Sequence, residues 1–166
     1  MTPHFEKPAA KGAFEKSSDR MQRVVVDTNI YIDWLNEGRH EGVLFQREAV
    51  KHLSAVVLME LLAGAFSTRD RRLIRDITLP FARANRIVTP TVSIYEDAGE
   101  VLRRLQRVRG YTMPSAYGLV NDVLIALSAR SIGATVITQN KRDFTAIQSI
   151  RPFKLSVVQS LTTREN

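Results

Sequence analysis

The chain is predicted to be α/β, built on a mainly parallel sheet of about five strands with helices on both faces. Three observations lead there. Short β-branched runs alternate with longer stretches of helical period, the pattern of βαβ units. The first run, Val24-Val25-Val26, is continuously apolar, as in a strand buried on both faces. It leads directly into Asp27-Thr28-Asn29, where a helical pattern begins. Asp27 therefore falls at the carboxyl end of a buried strand, the edge at which open α/β sheets bind ligands. Asp27 and Asn29 are equally good helix caps, and this hexapeptide alone does not separate a cap from a binding residue.

Residues 1–22 mix Lys, Glu, Pro, Ala, Gly and Ser without period and are expected to be a flexible N-terminal arm. The ordered domain is expected over 23–158, with a polar tail at 159–166. Strand 1 is Arg23–Asp27. A helix follows from about Asn29 to Glu37, with Ile30, Ile32 and Trp34 inward, and Gly38 ends it. A second helix is expected over Gly42–Lys51, on the apolar positions Val43, Leu44, Ala49 and Val50. Strand 2 is Leu53–Val57, and a helical stretch, Leu58–Phe66, follows it. A basic helix spans Thr68–Asn85, with Pro80 expected to kink or split it. Strand 3 is Arg86–Thr89, stopped by Pro90. The clearest period in the chain is Val92–Arg109, where Ile94, Ala98, Val101, Leu102, Leu105 and Val108 share one face. Gly110 ends that helix and Tyr111–Gly118 is a loop. The last elements are a helix at Leu119–Ile132, strand 4 at Ala134–Thr138, a short helix at Lys141–Ile147 and strand 5 at Phe153–Val158.

Composition narrows the function. With no cysteine, disulfides and thiolate zinc sites are excluded. No apolar stretch approaches the roughly 18 residues a membrane span needs, and Met1–Gln22 lacks the apolar centre of a secretory signal. A cytoplasmic protein without membrane attachment is the expectation. Residues 1–100 hold 14 basic and 14 acidic side chains, whereas residues 101–166 hold 10 and 3. The whole net charge of +7 thus lies in the last part of the chain. A basic surface around a few acids suits a polyanion such as nucleic acid, although arginine-rich helix faces are often only solvated. No Gly-x-Gly-x-x-Gly follows strand 1 and no P-loop sequence occurs, so a nucleotide-phosphate cradle is absent.

Four acids stand in unusual surroundings. Asp27 ends a buried strand. Glu60 sits in Val56-Val57-Leu58-Met59-Glu60-Leu61-Leu62, Asp122 in Leu119-Val120-Asn121-Asp122-Val123-Leu124-Ile125, and Asp143 follows strand 4 in Thr138-Gln139-Asn140-Lys141-Arg142-Asp143-Phe144. Each alone has an ordinary explanation: a solvent-facing helix position for Glu60, a helix N-terminus for Asp122. Together they are harder to dismiss, because a buried carboxylate is costly unless paired or bound to a cation. Acids from several crossovers of a parallel sheet can converge on one edge. Oxygen ligands without cysteine select a hard cation, Mg2+ or Mn2+.

These four stretches, in this order and spacing, resemble the PIN-domain ribonucleases, especially the VapC-type toxins of prokaryotic toxin–antitoxin pairs. The resemblance runs over about residues 23–158 and lacks none of the acidic positions. It implies a three-layer α/β/α sandwich and metal-dependent endoribonuclease activity. It also implies Asp27 and Asp122 as direct metal ligands, with Glu60 and Asp143 completing the catalytic cluster. Thr28, Asn29, Thr138 and Asn140 would be supporting polar groups. A bound cation neutralises phosphate and activates water, so no protein nucleophile is needed. That agrees with the absence of cysteine and with His4, His40 and His52 lying outside the acidic motifs, where they read as surface or structural residues.

Lys141 and Arg142, beside Asp143, are the foremost candidates for RNA contact. Arg103, Arg104, Arg107, Arg109, Arg130 and Arg151 form a wider basic set. Tyr111 and Tyr117, in the loop before Asp122, read first as ordinary loop packing, with stacking on a base as the alternative. The resemblance further implies an RNA substrate, a cognate antitoxin and a second copy in a homodimer, for which Trp34 and Phe66 offer apolar surface. The competing reading is a catalytically inactive PIN-fold module for RNA binding or assembly. A receiver domain is disfavoured because Asp27 has no acidic neighbour. A haloacid-dehalogenase-type phosphatase fails because Asp27-Thr28-Asn29 is not Asp-x-Asp.

Overall fold

The computed structural model describes residues 21–110 and 117–159. The elements are β1 (Gln22–Val26), α1 (Thr28–Glu37), α2 (Glu41–Phe45), β2 (Ala49–Ser54), α3 (Ala55–Ala63), α4 (Thr68–Arg83) and β3 (Ile87–Val88). They continue with α5 (Val92–Arg109), α6 (Tyr117–Ser131), β4 (Thr135–Thr138), α7 (Lys141–Ile150) and β5 (Lys154–Val157). All four strand pairings are parallel, in the order β3-β2-β1-β4-β5. The chain steps outward from β1 to β3, crosses back, and steps outward again from β4 to β5. Right-handed crossovers then place helices on opposite faces for the two halves. Accordingly α3 touches both α1 and α4, and α5, α6 and α7 touch one another. The result is a three-layer α/β/α sandwich.

The core follows from the apolar runs. Val24, Val25, Val26, Leu53 and Val136 of the strands are buried, with Ile30, Val57, Leu105, Val123, Phe144 and Ile147 from the helices. β1 is central, paired with β2 on one side and β4 on the other, which is why its run is apolar on both faces. Gly38 and Gly110 end α1 and α5 in left-handed conformations, φ 67° and 66°, a region glycine enters without steric cost.

Several boundaries differ from the sequence expectation. The second helix is only Glu41–Phe45, and Ala49–Lys51 belong to β2. Their helical spacing is overridden by pairing with β1 from Gln22↔Ala49 onward. The same pairing puts Gln22 in a strand rather than in the arm, and His52 inside β2. Ala55–Val57 are helical, not strand, because the Ser54 side chain accepts from the Val56 N–H at 3.2 Å and starts α3. Pro80 does not split α4, which runs on to Arg83 and is opened by a capping box between Ser67 and Asp70. Ile32 and Val108, placed inward by their spacing, are 44% and 71% exposed. Trp34 is half-buried, edge-on to Phe45 with ring centroids 5.2 Å apart, whereas Phe66 is largely exposed. Residues 1–20 of the arm, Tyr111 and tail residues 160–166 lie outside the described residues, as do the side chains of Arg109 and Tyr117. Among the described residues no helix is long and apolar enough to cross a membrane.

Candidate active site

The sheet order fixes where a site forms. Connections leave β1 and β4, adjacent strands, in opposite directions across the sheet, so a crevice opens beyond their carboxyl ends. Asp27 follows β1 immediately, and Thr138 ends β4. The Asp27 N–H donates to the Ile137 carbonyl at 2.9 Å, locking the two strand ends together.

Asp27 is 4% exposed. It caps α1, and both of its oxygens are engaged: Oδ1 accepts from the Thr28 N–H at 2.8 Å, and Oδ2 accepts from Thr138 Oγ1 at 2.7 Å and Asn29 Nδ2 at 2.9 Å. Asp27 is thus a helix cap whose second oxygen is held at the end of β4. Burial pushes its carboxyl up to about 6, against the opposing effect of the hydrogen bonds from Thr138 and Thr28; the Glu60 charge adds to the rise.

Glu60, half-buried on α3, is clamped from two sides. Thr28 Oγ1 donates to its Oε2 in a short hydrogen bond, and Asn121 Nδ2 donates to its Oε1 at 2.7 Å. Asp122 lies in the second turn of α6, because that helix starts two residues before the expected Leu119; it is not a first-turn dipole acid. Its carboxyl is pushed up to about 8, first by burial, then by the charges of Asp27, Asp143 and Glu60. Asn140 bridges the remaining pair: Nδ2 donates to Asp122 Oδ2 at 2.9 Å and to Asp143 Oδ2 at 3.0 Å. Its Oδ1 accepts the Asp143 N–H at 3.3 Å, which caps α7 and sets the orientation of the amide.

All four acids thus meet at one edge, from four separate elements. Glu60, Asp122, Asn140, Arg142 and Asp143 line one cleft, with Gly118 and Leu119 at its side. Two ligand-free facts bear on a cation. The donors are all oxygen, the type hard cations prefer, and burial together with the neighbouring carboxylates raises Asp122. On the other hand, among the described residues no group of three or more Asp, Glu or His side chains stands close enough to hold one ion. Neutral donors, Asn140 and Thr28 above all, occupy the spaces between the carboxylates.

The basic candidates separate on inspection. Arg142 lies at the cleft, 86% exposed, with Nε 4.0 Å from Asp143 Oδ1. Lys141 is exposed on the same first turn of α7. Arg103 pairs with Glu100, Arg130 donates to the Pro152 carbonyl and Arg151 pairs with Asp97, so these three serve the fold. Arg104 and Arg107 lie on an exposed stripe of α5. Two polar groups escaped the sequence reading as site residues, Asn121 and Gln139. Each is a second polar side chain next to an acidic or threonine position in an apolar setting, and that adjacency was the available signal.

An open parallel α/β sheet with an acid-lined crevice at its switch point defines a class of proteins that act at the strand ends. A family model for the PIN domain matches residues 24–149. The chain belongs to the PIN-domain family. No significant match to a curated protein is found. Solved structures with the same fold include VapBC2 from Rickettsia felis bound to a DNA fragment from its promoter, with a TM-score of 0.60 at 22% identity, covering 83% of this chain and 100% of that one. FitAB bound to an IR36 DNA fragment gives 0.61 at 20%, covering 86% and 99%. VapBC-1 from nontypeable Haemophilus influenzae gives 0.60 at 23%, covering 82% and 98%. At these identities the likeness is one of fold.

Proposed function

We propose that the protein is a divalent-cation-dependent endoribonuclease that acts as the toxin of a toxin–antitoxin pair. The observation that carries this is the convergence of Asp27, Glu60, Asp122 and Asp143 on one edge, with Asp122 raised by burial and by the other three. Such a cluster is electrostatically unfavourable unless a cation or protons neutralise it. The PIN-domain membership supports the same reading, as does the fold shared with VapBC-5 from Mycobacterium tuberculosis, described as a member of the VapBC family of toxin–antitoxin systems.

In this proposal Asp27 and Asp122 hold Mg2+ or Mn2+, and Glu60 and Asp143 complete the cluster. A bound cation would supply charge neutralisation at the scissile phosphate and activation of water. The chain's own residues do the rest. Thr138 and Asn29 orient Asp27 Oδ2, while Thr28 and Asn121 fix both oxygens of Glu60. Asn140 holds Asp122 and Asp143 near each other, and must yield some of that hold to an entering ion. Arg142 and Lys141, exposed at the rim, attract the phosphate backbone without reading sequence. The antitoxin, a homodimer and a cytoplasmic setting are parts of the same proposal.

One observation favours the second reading, an inactive PIN-fold module that binds RNA: among the described residues no three acids are grouped for an ion. Titration calorimetry with Mn2+, together with RNA cleavage in Mg2+ or Mn2+ against EDTA, decides between them. The nuclease requires Mn2+ heat and metal-dependent cleavage, both lost in Asp27→Ala and Asp122→Ala. RNA binding with neither heat nor cleavage establishes the module.

A further inference from the structure

Beside the acid cluster lies a polar knot that the proposed chemistry does not use. Gln139 is the residue between Thr138 and Asn140. Its Nε2 donates to Asp33 Oδ2 at 2.6 Å and stands 2.9 Å from His40 Nε2. His40 Nε2 is in turn 3.2 Å from the same Asp33 oxygen. Three atoms, two nitrogens and one oxygen, therefore meet in a triangle. His40 is nearly covered, its side chain 7% exposed, and its backbone is held at φ 64°, a conformation unusual for a residue with a Cβ. The charged groups around it are Asp33 and Glu37 on α1, Arg39 beside it, bound to both of those acids, and Glu41 on α2.

The triangle permits two arrangements, and they exclude each other. Asp33 only accepts when ionised, so the Gln139 atom facing it is the amide nitrogen. With His40 neutral, carrying its proton on Nδ1, Nε2 accepts from Gln139, and the amide gives one hydrogen to each neighbour. With His40 protonated, Nε2–H points to Asp33 and confronts the amide N–H of Gln139. Turning the amide over brings its carbonyl against the Asp33 carboxylate instead. In either orientation one of these two hydrogen bonds, to Asp33 or to His40, is lost.

Gln139 is connected to the acid edge through its backbone. Its N–H donates to Asn29 Oδ1 at 3.4 Å, which fixes Asn29 so that Nδ2 serves Asp27 Oδ2 and Thr138 Oγ1. We propose that Gln139 is a positioning residue for the Asp27–Asn29 side of the site, and that a proton on His40 unseats it. The consequence for catalysis rests on the nuclease reading; the coupling from His40 to Gln139 does not.

The test needs neither RNA nor metal. In 15N-labelled protein titrated from pH 8 to 5, the Gln139 side-chain amide signals move with the same midpoint as the His40 ring, and the neutral ring carries its proton on Nδ1. In His40→Gln that movement of Gln139 is lost, while a step of Asn29 caused by Asp27 persists. In Gln139→Ala, where the amide no longer competes for Asp33, the imidazole titrates at higher pH than in the wild type. Gln139 signals that stay still through the His40 transition overturn the proposal. So does a neutral ring protonated on Nε2, or an unchanged midpoint in Gln139→Ala. If His40→Gln fails to fold, the wild-type and Gln139→Ala titrations decide it.

Discussion

Replacing Asp122 by Asn is expected to stabilise the metal-free protein at pH 8. Its carboxyl is pushed from an ordinary 3.8 to about 8 by burial and by three neighbouring acids. A group with its folded value raised holds more protons folded than unfolded. Stability therefore falls as pH rises from about 4, the unfolded value, to about 8. Full conversion of that rise sets an upper bound of about 5 kcal/mol at pH 8. The cleft is open at Arg142, and counterions and adjustment of Asn140 reduce the effect to about 2 kcal/mol. For a domain of this size that is a rise in Tm of about 4–8 °C. The assay is thermal unfolding by circular dichroism in EDTA, for wild type and Asp122→Asn, from pH 4 to 8. The variant's advantage grows with pH across that window. On the proposed metal reading, adding Mn2+ then raises the wild type alone, by about 2.7 kcal/mol at a hundredfold excess over Kd. An Asp122→Asn protein that is less stable than wild type at pH 8, or an advantage that shrinks with pH, refutes the electrostatic reasoning.

Asn140→Ala removes both the cap of α7 and the bridge between Asp122 and Asp143, and should cost about 1–2 kcal/mol in urea unfolding, more at pH 8 than at pH 6. Arg142→Ala, at an exposed position, should leave Tm unchanged and lower the slope of log affinity for RNA against log salt by about 1, read by fluorescence anisotropy. Gly38→Ala forces a Cβ into the left-handed region with no steric neighbour to blame, so a loss of about 1 kcal/mol in unfolding free energy isolates backbone strain. If Asp27 and Asp122 hold the cation as proposed, Mn2+ affinity measured by calorimetry should rise between pH 6 and pH 8, because their carboxyls, at about 6 and about 8, would have to give up protons first.

What the sequence revealed depended on how local each signal was. Val24–Val26 announced a central strand because burial on both faces leaves an apolar run, and α5 announced itself through eighteen residues of one period. Asp27, Glu60 and Asp122 stood out as acids beside or within apolar stretches and Asp143 by its place just after a strand, and the structure gathers all four at one edge. The region 42–57 was misread because Ala49–Lys51 are held in β2 by β1, a partner more than twenty residues away that no window contains. Thr28 and Asn121 clamp Glu60 across 32 and 61 residues, and Gln139 reaches Asp33 across 106. Such contacts follow from topology and were beyond reading from spacing alone.

The crossing back of the chain to β4 also sets a timetable. During synthesis from the N-terminus, β1 can meet β2 early, since Gln22 pairs with Ala49. Its other neighbour, β4, begins at Thr135, and Asp143 comes later still. Until then one edge of the central strand is unpaired, which exposes an apolar run to wrong partners. The acid edge has the same late date: half of its carboxylates arrive only after the 121st residue is made. A chain halted midway is thus exposed to aggregation yet unable to assemble its own site, and competence appears in one step with closure of the sheet.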